Sequence, residues 1–133
     1  MSSTRRLARM VAAVAIMTPL VAAACGNDEA VDLDLSAAAK RGQLTATEMG
    51  CQGCHRTSGE GGVGPSWDGL YGSSITLSDG SEITVDDAYI ITAVREPNAE
   101  KREGQRGAMG AYDDKRISDD ELAEIIEFIK ALG

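Results

Sequence analysis

Cys51-Gln52-Gly53-Cys54-His55 constrains this chain more than any other stretch. Two thiols three residues apart lie on one helical turn and can add to the two vinyl groups of one porphyrin. The imidazole that follows then falls beneath the iron. C-x-x-C-H is the attachment pattern of a c-type haem, with Cys51 and Cys54 as thioethers and His55 as proximal iron ligand. Other uses of C-x-x-C fit less well. A thioredoxin-like site needs a βαβ context, which is missing around this pair. A zinc site needs four ligands. The chain has three cysteines and one histidine, and Cys25 has a different expected fate.

That fate follows from the N-terminus. Arg5, Arg6 and Arg9 form a basic stretch, and Met10 to Ala24 is an apolar run broken only by Thr18 and Pro19. A membrane-spanning helix needs about 20 apolar residues, so the run reads as an export signal covering 1–24. It ends Ala22-Ala23-Ala24-Cys25. Ala-x-Ala suits ordinary cleavage, and small residues before a cysteine suit a lipoprotein signal, although Ala22 stands where that signal usually has leucine. An unpaired exported thiol is a liability, and the polar stretch Gly26-Asn27-Asp28-Glu29 resembles a tether. Lipidation at Cys25 is therefore the favoured expectation. Residues 25–35 then form a short acidic linker reaching at most about 35 Å. Acyl chains would hold the domain, residues 36–133, at an extracytoplasmic membrane surface. Loss of residues 1–24 removes three arginines and takes the net charge from −8 to −11. So acidic a protein does not bind nucleic acid through its overall charge.

Aromatic residues make up only 4% of the chain, a thin supply for a core. A buried haem would add apolar volume, so the domain is expected to depend on haem for its fold.

Ser36 reads as the N-cap of a first helix through Ala37-Ala38-Ala39 toward the pentad. Gly42 inside it marks either a close helix crossing or a tolerated glycine. Thr57 to Pro65 is glycine-rich but lacks a phosphate-loop lysine, and it reads as chain wrapped around the haem edge. The Pro65 carbonyl is placed to accept the Nδ1 proton of His55 and fix its tautomer. Trp67, Leu70 and Tyr71 offer apolar cover for the porphyrin. Ser74 to Val85 reads as a hairpin. A three-residue loop with Gly80 left-handed puts Ile75, Leu77, Ile83 and Val85 on one face. The hairpin is either a cover for the haem or a partner surface. Thr84 or Val85 opens a second helix, with Asp86 and Asp87 in its first turn and Pro97 at its end. A long irregular stretch holds Met109. The last helix starts at the capping box Ser118-Asp119-Asp120-Glu121, and its stripe Leu122, Ile125, Ile126, Ile129 and Leu132 reads as core.

The sixth iron ligand follows by elimination. His55 is the sole histidine. Met1, Met10 and Met17 lie in the export segment, and Met49 precedes Cys51 on the proximal side. Met109 remains, with Lys101, Lys115 or an open position as alternatives. His/Met ligation raises the potential and closes the iron, which suits one-electron transfer.

With these residues in view, 36–133 resembles class I c-type cytochromes: Cys51, Cys54 and His55, Gly64-Pro65, and Met109 before a final amphipathic helix. The resemblance implies an all-α cytochrome c fold, three to four helices around one covalent haem c, here with a small β-hairpin insertion. It also implies that Gly42 and Phe128 lie at the crossing of first and last helices. Ala46 replaces an aromatic usual in that family, and Gly110 replaces the proline after the methionine. Gly69-Leu70-Tyr71-Gly72, the hairpin at Asp79-Gly80-Ser81, and the stretch Asp87-Ala88-Tyr89 through Pro97-Asn98-Ala99 further resemble the cytochrome c domain of subunit II in caa3-type cytochrome c oxidases. The function expected is electron transfer rather than enzymatic turnover. The expected partners are a terminal oxidase or a quinol-oxidising complex in a respiratory chain, met as a freestanding shuttle or a fixed subunit. The competing reading is a haem enzyme or gas sensor with an open distal site.

Overall fold

The computed structural model describes residues 34–105 and 107–133. Residues 1–24, read above as an export signal, Cys25 with its expected lipidation, residues 26–33 and Arg106 lie outside the described residues. The first helix, α1, spans Ala37–Glu48, and the Ser36 hydroxyl accepts from the Ala39 N–H at 3.1 Å. Met49 caps it, and Gly50 turns left-handed at φ 73°. That turn separates the pentad from α1, so the thiols lie on a 3₁₀ turn, Cys51–Gly53, rather than on a continuing α-helix. The Cys54 and His55 N–H groups both donate to the Cys51 carbonyl, at 3.1 and 2.9 Å.

Strands β1 (Ser74–Thr76) and β2 (Glu82–Thr84) pair antiparallel with Ile75 opposite Ile83. The Leu77 N–H donates to the Ser81 carbonyl at 2.8 Å, which leaves a Ser78-Asp79-Gly80 loop with Gly80 at φ 87°. Ile75, Leu77 and Val85 are buried and Ile83 is half-buried, so the three-residue loop sets the expected faces. The second helix, α2, runs Asp87–Arg95. It begins later than Thr84 or Val85 because Asp86 is not within its first turn. Asp86 is the N-cap, its carboxylate accepting from the Tyr89 N–H at 2.8 Å.

The third helix, α3, spans Asp119–Lys130 behind a complete capping box. The Ser118 hydroxyl accepts from the Glu121 N–H at 3.3 Å, and the Glu121 carboxylate accepts from the Ser118 N–H at 2.8 Å. The described residues thus hold three α-helices and one two-stranded sheet, at the lower of the expected helix counts. No helix among them is long and apolar enough to cross a membrane.

Helices α1 and α3 cross tightly. Ala39, Gly42 and Ala46 are buried on α1, against the α3 side that buries Leu122, Ile125 and Phe128. A Cβ at Gly42 would overlap the Glu124 carbonyl of α3, so glycine here is required by a close crossing. Ala46, where an aromatic was noted as missing, is fully buried, and Trp67 meets Phe128 edge-on at 6.1 Å.

Two outcomes test this packing. Gly42→Ala should lower the melting temperature. Overpacking against backbone costs about 1–3 kcal/mol and outweighs the roughly 1 kcal/mol that alanine gains over glycine inside a helix. The capping box gives the second. Its hydrogen bonds from Ser118 hold the Glu121 carboxyl below the usual carboxylate range. The stability it adds is therefore present above about pH 4 and is lost as pH falls through the lower folded value. Chemical denaturation at a series of acidic pH values should show a shallower acid loss for Glu121→Gln than for the wild-type chain.

Candidate functional site

The pentad is held by the glycine-rich chain that follows it. The Gly64 N–H donates to the Cys54 carbonyl at 3.1 Å, and the Trp67 N–H to the Arg56 carbonyl at 2.7 Å. A Cβ at Gly64 would stand 2.6 Å from Cε1 of His55, and one at Gly62 would stand 2.8 Å from the Cys54 carbonyl. The glycines therefore let the loop close on His55 and Cys54 themselves. Nδ1 of His55 lies 3.0 Å from the Pro65 carbonyl. A carbonyl only accepts, so Nδ1 carries the proton and Nε2 keeps its lone pair. The Trp67 indole stacks on the imidazole, ring centres 5.2 Å apart and planes 19° from parallel. Two neighbours thus fix the ring, one by a hydrogen bond and one by a face. Burial pulls the His55 pKa below the ordinary imidazole value, against the opposing Pro65 carbonyl. That favours the neutral form a metal requires. Cys51 and Cys54 are free thiols, with Cys51 pushed up by burial.

These residues form one wall of a cleft with about 1320 Å³ of non-protein space, counting its open mouth. Ile90, Ala93 and Val94 of α2 make a second wall, and Ile125 and Ile129 of α3 a third. The α3 stripe, read from sequence as core alone, therefore does two jobs. Leu122, Ile126 and Phe128 are buried in the core, and Ile125 and Ile129 also face the cleft. Helical period marks which side is buried but not what it is buried against.

Met109, half-buried, lines the same cleft as His55, Cys51 and Cys54. Met49, Lys101 and Lys115 do not line it. Backbone bonds tie the methionine segment down on both sides. Before it, the Ser78 N–H donates to the Lys101 carbonyl and the Glu103 N–H to the Thr76 carbonyl, each at 2.8 Å, extending the hairpin by a short third edge. After it, the Tyr112 N–H donates to the Val94 carbonyl at 3.1 Å. The Arg95 guanidinium binds the Tyr112 and Ile117 carbonyls at 2.9 and 2.8 Å and the Asp119 carboxylate at 2.7 Å. The hairpin, whose role the sequence left open, is thus a support for the methionine segment, and its Ile75 lines the cleft.

Trp67 and Leu70 line the cleft; Tyr71 does not. Gly69 and Gly72, at φ 63° and 77°, bend the chain around Leu70-Tyr71. The Tyr71 hydroxyl donates to Asp87 at 2.8 Å, and Lys130 lies 5.0 Å from the centre of its ring. The expected porphyrin cover at Tyr71 is corrected to a surface tie between α2 and α3. Sequence reasoning also missed Tyr89 and Arg102, both on the cleft. Burial raises the Tyr89 phenol, with Arg102 opposing and Glu100 adding to the rise.

An apolar cleft with two adjacent free thiols, a tautomer-fixed imidazole and a thioether fits a flat, covalently held, iron-bearing macrocycle. The fold and site thus define a small haem-binding helical domain. Residues 39–133 match the family model described as Cytochrome c, and the chain belongs to the cytochrome c family. No curated protein matches it. Family membership implies covalent haem c and electron-carrier chemistry.

The chain has one tryptophan, stacked on His55. Its fluorescence should be strongly quenched in the haem-loaded protein and recover when haem is absent. Comparing a haem-loaded preparation with one made without haem attachment checks this by emission intensity.

Proposed function

We propose that this protein is a membrane-tethered monohaem cytochrome that passes single electrons in a respiratory chain, to or within a terminal oxidase system. The observation that carries the reading is that His55 and Met109 line one largely apolar cleft beside two free thiols. Cys51 and Cys54 would hold haem as thioethers, and Nε2 of His55 and the sulfur of Met109 would ligate its iron. When bound, haem supplies an iron that alternates between ferric and ferrous, a store for one electron. The chain's own residues do the rest. Pro65 and Trp67 hold the imidazole still, and the apolar walls exclude water. The anchored Met109 segment keeps small ligands from the iron. A thioether together with an imidazole on the iron would favour the reduced state and a high potential.

The tether is Cys25, acylated and followed by the acidic linker, which would keep the domain on the outer face of a cell membrane. A Cys25→Ala chain should then leave the membrane fraction. Docking would use the Met109 side. From Arg95 to Arg116 there are six basic and five acidic residues, whereas 118–133 carries five acids and one lysine. An acidic face on the redox partner suits that asymmetry.

Optical spectra of the ferric and ferrous protein test the axial pair. The wild-type protein should show the near-infrared methionine–iron charge-transfer band and ignore carbon monoxide. Met109→Ala should lose the band, bind carbon monoxide when reduced and have a lower potential. Ready carbon monoxide binding by the wild-type protein would overturn the reading in favour of a haem enzyme or gas sensor.

A further inference from the structure

Three glycines stand around Met109, and they are glycines for different reasons. Gly104 is left-handed, at φ 73°, with open space where a Cβ would go. Gly110 also has open space. Gly107 is the one pressed by a neighbour. A Cβ there would stand 2.5 Å from Cγ1 of Val63 and 3.2 Å from the Val63 carbonyl oxygen. Val63 therefore lies directly on the Gly107 backbone, two residues before Met109. Val63, Gly107 and Met109 all line the cleft.

Val63 is 63% exposed, the same as Leu44 on α1. A side chain so exposed does little for the core, yet its base is rigid. On one side of it, the Gly64 N–H donates to the Cys54 carbonyl at 3.1 Å. On the other, a Cβ at Gly62 would stand 2.8 Å from that same carbonyl. The chain around Val63 is thus pressed onto the pentad. A short series of contacts runs from Cys54 through Val63 and Gly107 toward Met109. It joins the wall that carries His55 to the segment that carries Met109. The junction falls between the backbone fastenings at 101–103 and at Tyr112. It is apolar, so water exclusion holds it and salt does not screen it.

We propose that Val63 clasps Gly107 and thereby keeps Met109 in the cleft, so that this one contact sets how readily an outside ligand replaces the methionine. This rests on the Met109 reading given above. Val63 is a positioning residue that acts through Gly107 and touches no ligand atom. Glycine is needed at 107 because the clasp lies on bare backbone, with no room for a Cβ beneath Val63.

The test is made on the haem-loaded protein in its ferric form. Imidazole is added in excess, and the rate at which the methionine–iron band disappears is followed. The variants are Val63→Ala, Val63→Thr, Gly107→Ala, the double variant V63A/G107A, and Leu44→Ala. Amide hydrogen exchange at 107–111 and the melting temperature are measured alongside. Val63→Ala should bind imidazole roughly three- to tenfold faster, the scale of removing one or two methyl groups from an apolar contact. Exchange at 107–111 should quicken by a similar factor. The band before mixing and the melting temperature should stay near wild type, since Met109 is intact and position 63 is exposed. Val63→Thr keeps the branched shape and should stay close to wild type. Gly107→Ala should also bind faster, because its Cβ displaces the clasp. In the double variant the added Cβ meets no Cγ1, so the two effects should fall short of their product.

Val63→Ala with a wild-type rate and wild-type exchange would overturn the proposal and leave the Met109 reading intact. Equal acceleration by Leu44→Ala would overturn it as well, since the effect would then be general loosening. Val63→Thr as fast as Val63→Ala, or single effects that simply multiply in the double variant, would show that the contact is not the cause. If Gly107→Ala does not load haem, Val63→Ala and Val63→Thr decide. A wild-type protein without the methionine–iron band would overturn both readings.

Discussion

Helices α1 and α3 meet backbone to backbone at Gly42, and the rest of the domain is arranged around that contact. Nothing larger than hydrogen fits between position 42 and the Glu124 carbonyl. Because the helices approach so closely, the end of α1 delivers the pentad beside the wall that Ile125 and Ile129 present. A looser crossing would displace His55 from those isoleucines. Phe128 adds a second link, since it is buried in the same interface and touches Trp67, which in turn lies on the imidazole. Helix packing and the orientation of the His55 ring are therefore one connected set of contacts.

The second connected set is made of backbone. Hairpin β1–β2, the residues 101–103 beside it, α2 through Val94, and Arg95 reaching to Asp119 form a frame for the methionine segment. Most of this frame is neutral peptide bonding. It is therefore insensitive to salt, unlike an arrangement of exposed ion pairs. The exposed Arg41–Glu124 pair adds little beside it.

Much of this was legible in the residues, and the failures share a cause. The pentad, the Ser118–Glu121 box and the Gly80 hairpin loop are each written in a few adjacent residues, whose chemistry decides the local conformation. Tyr71 was misread because an apolar ring next to Leu70 looks like a cleft residue. Only the two left-handed glycines around the pair show that it turns outward. Arg102 was missed as a cleft residue, since nothing local reveals that residues 101–103 would lie beside the hairpin, at a bridge to Leu77 some 25 positions earlier in the chain. The double duty of Ile125 and Ile129 was hidden for a related reason. Periodicity records that a side is covered and is silent on whether protein or cofactor covers it. Pairings between distant segments, and the contents of a cavity, are properties of the assembled molecule.

The fastening of the methionine segment on both sides has a kinetic meaning. Residues 104–111 lie between the bonds at 101–103 and the bond at Tyr112, with Gly104, Gly107 and Gly110 inside that interval. A local opening of this interval would leave both attachments and every helix in place. Opening of the segment would then be a small, local event rather than a fraction of global denaturation. How often the Met109 side of the cleft opens would then depend on the ends of this segment more than on the α1–α3 core.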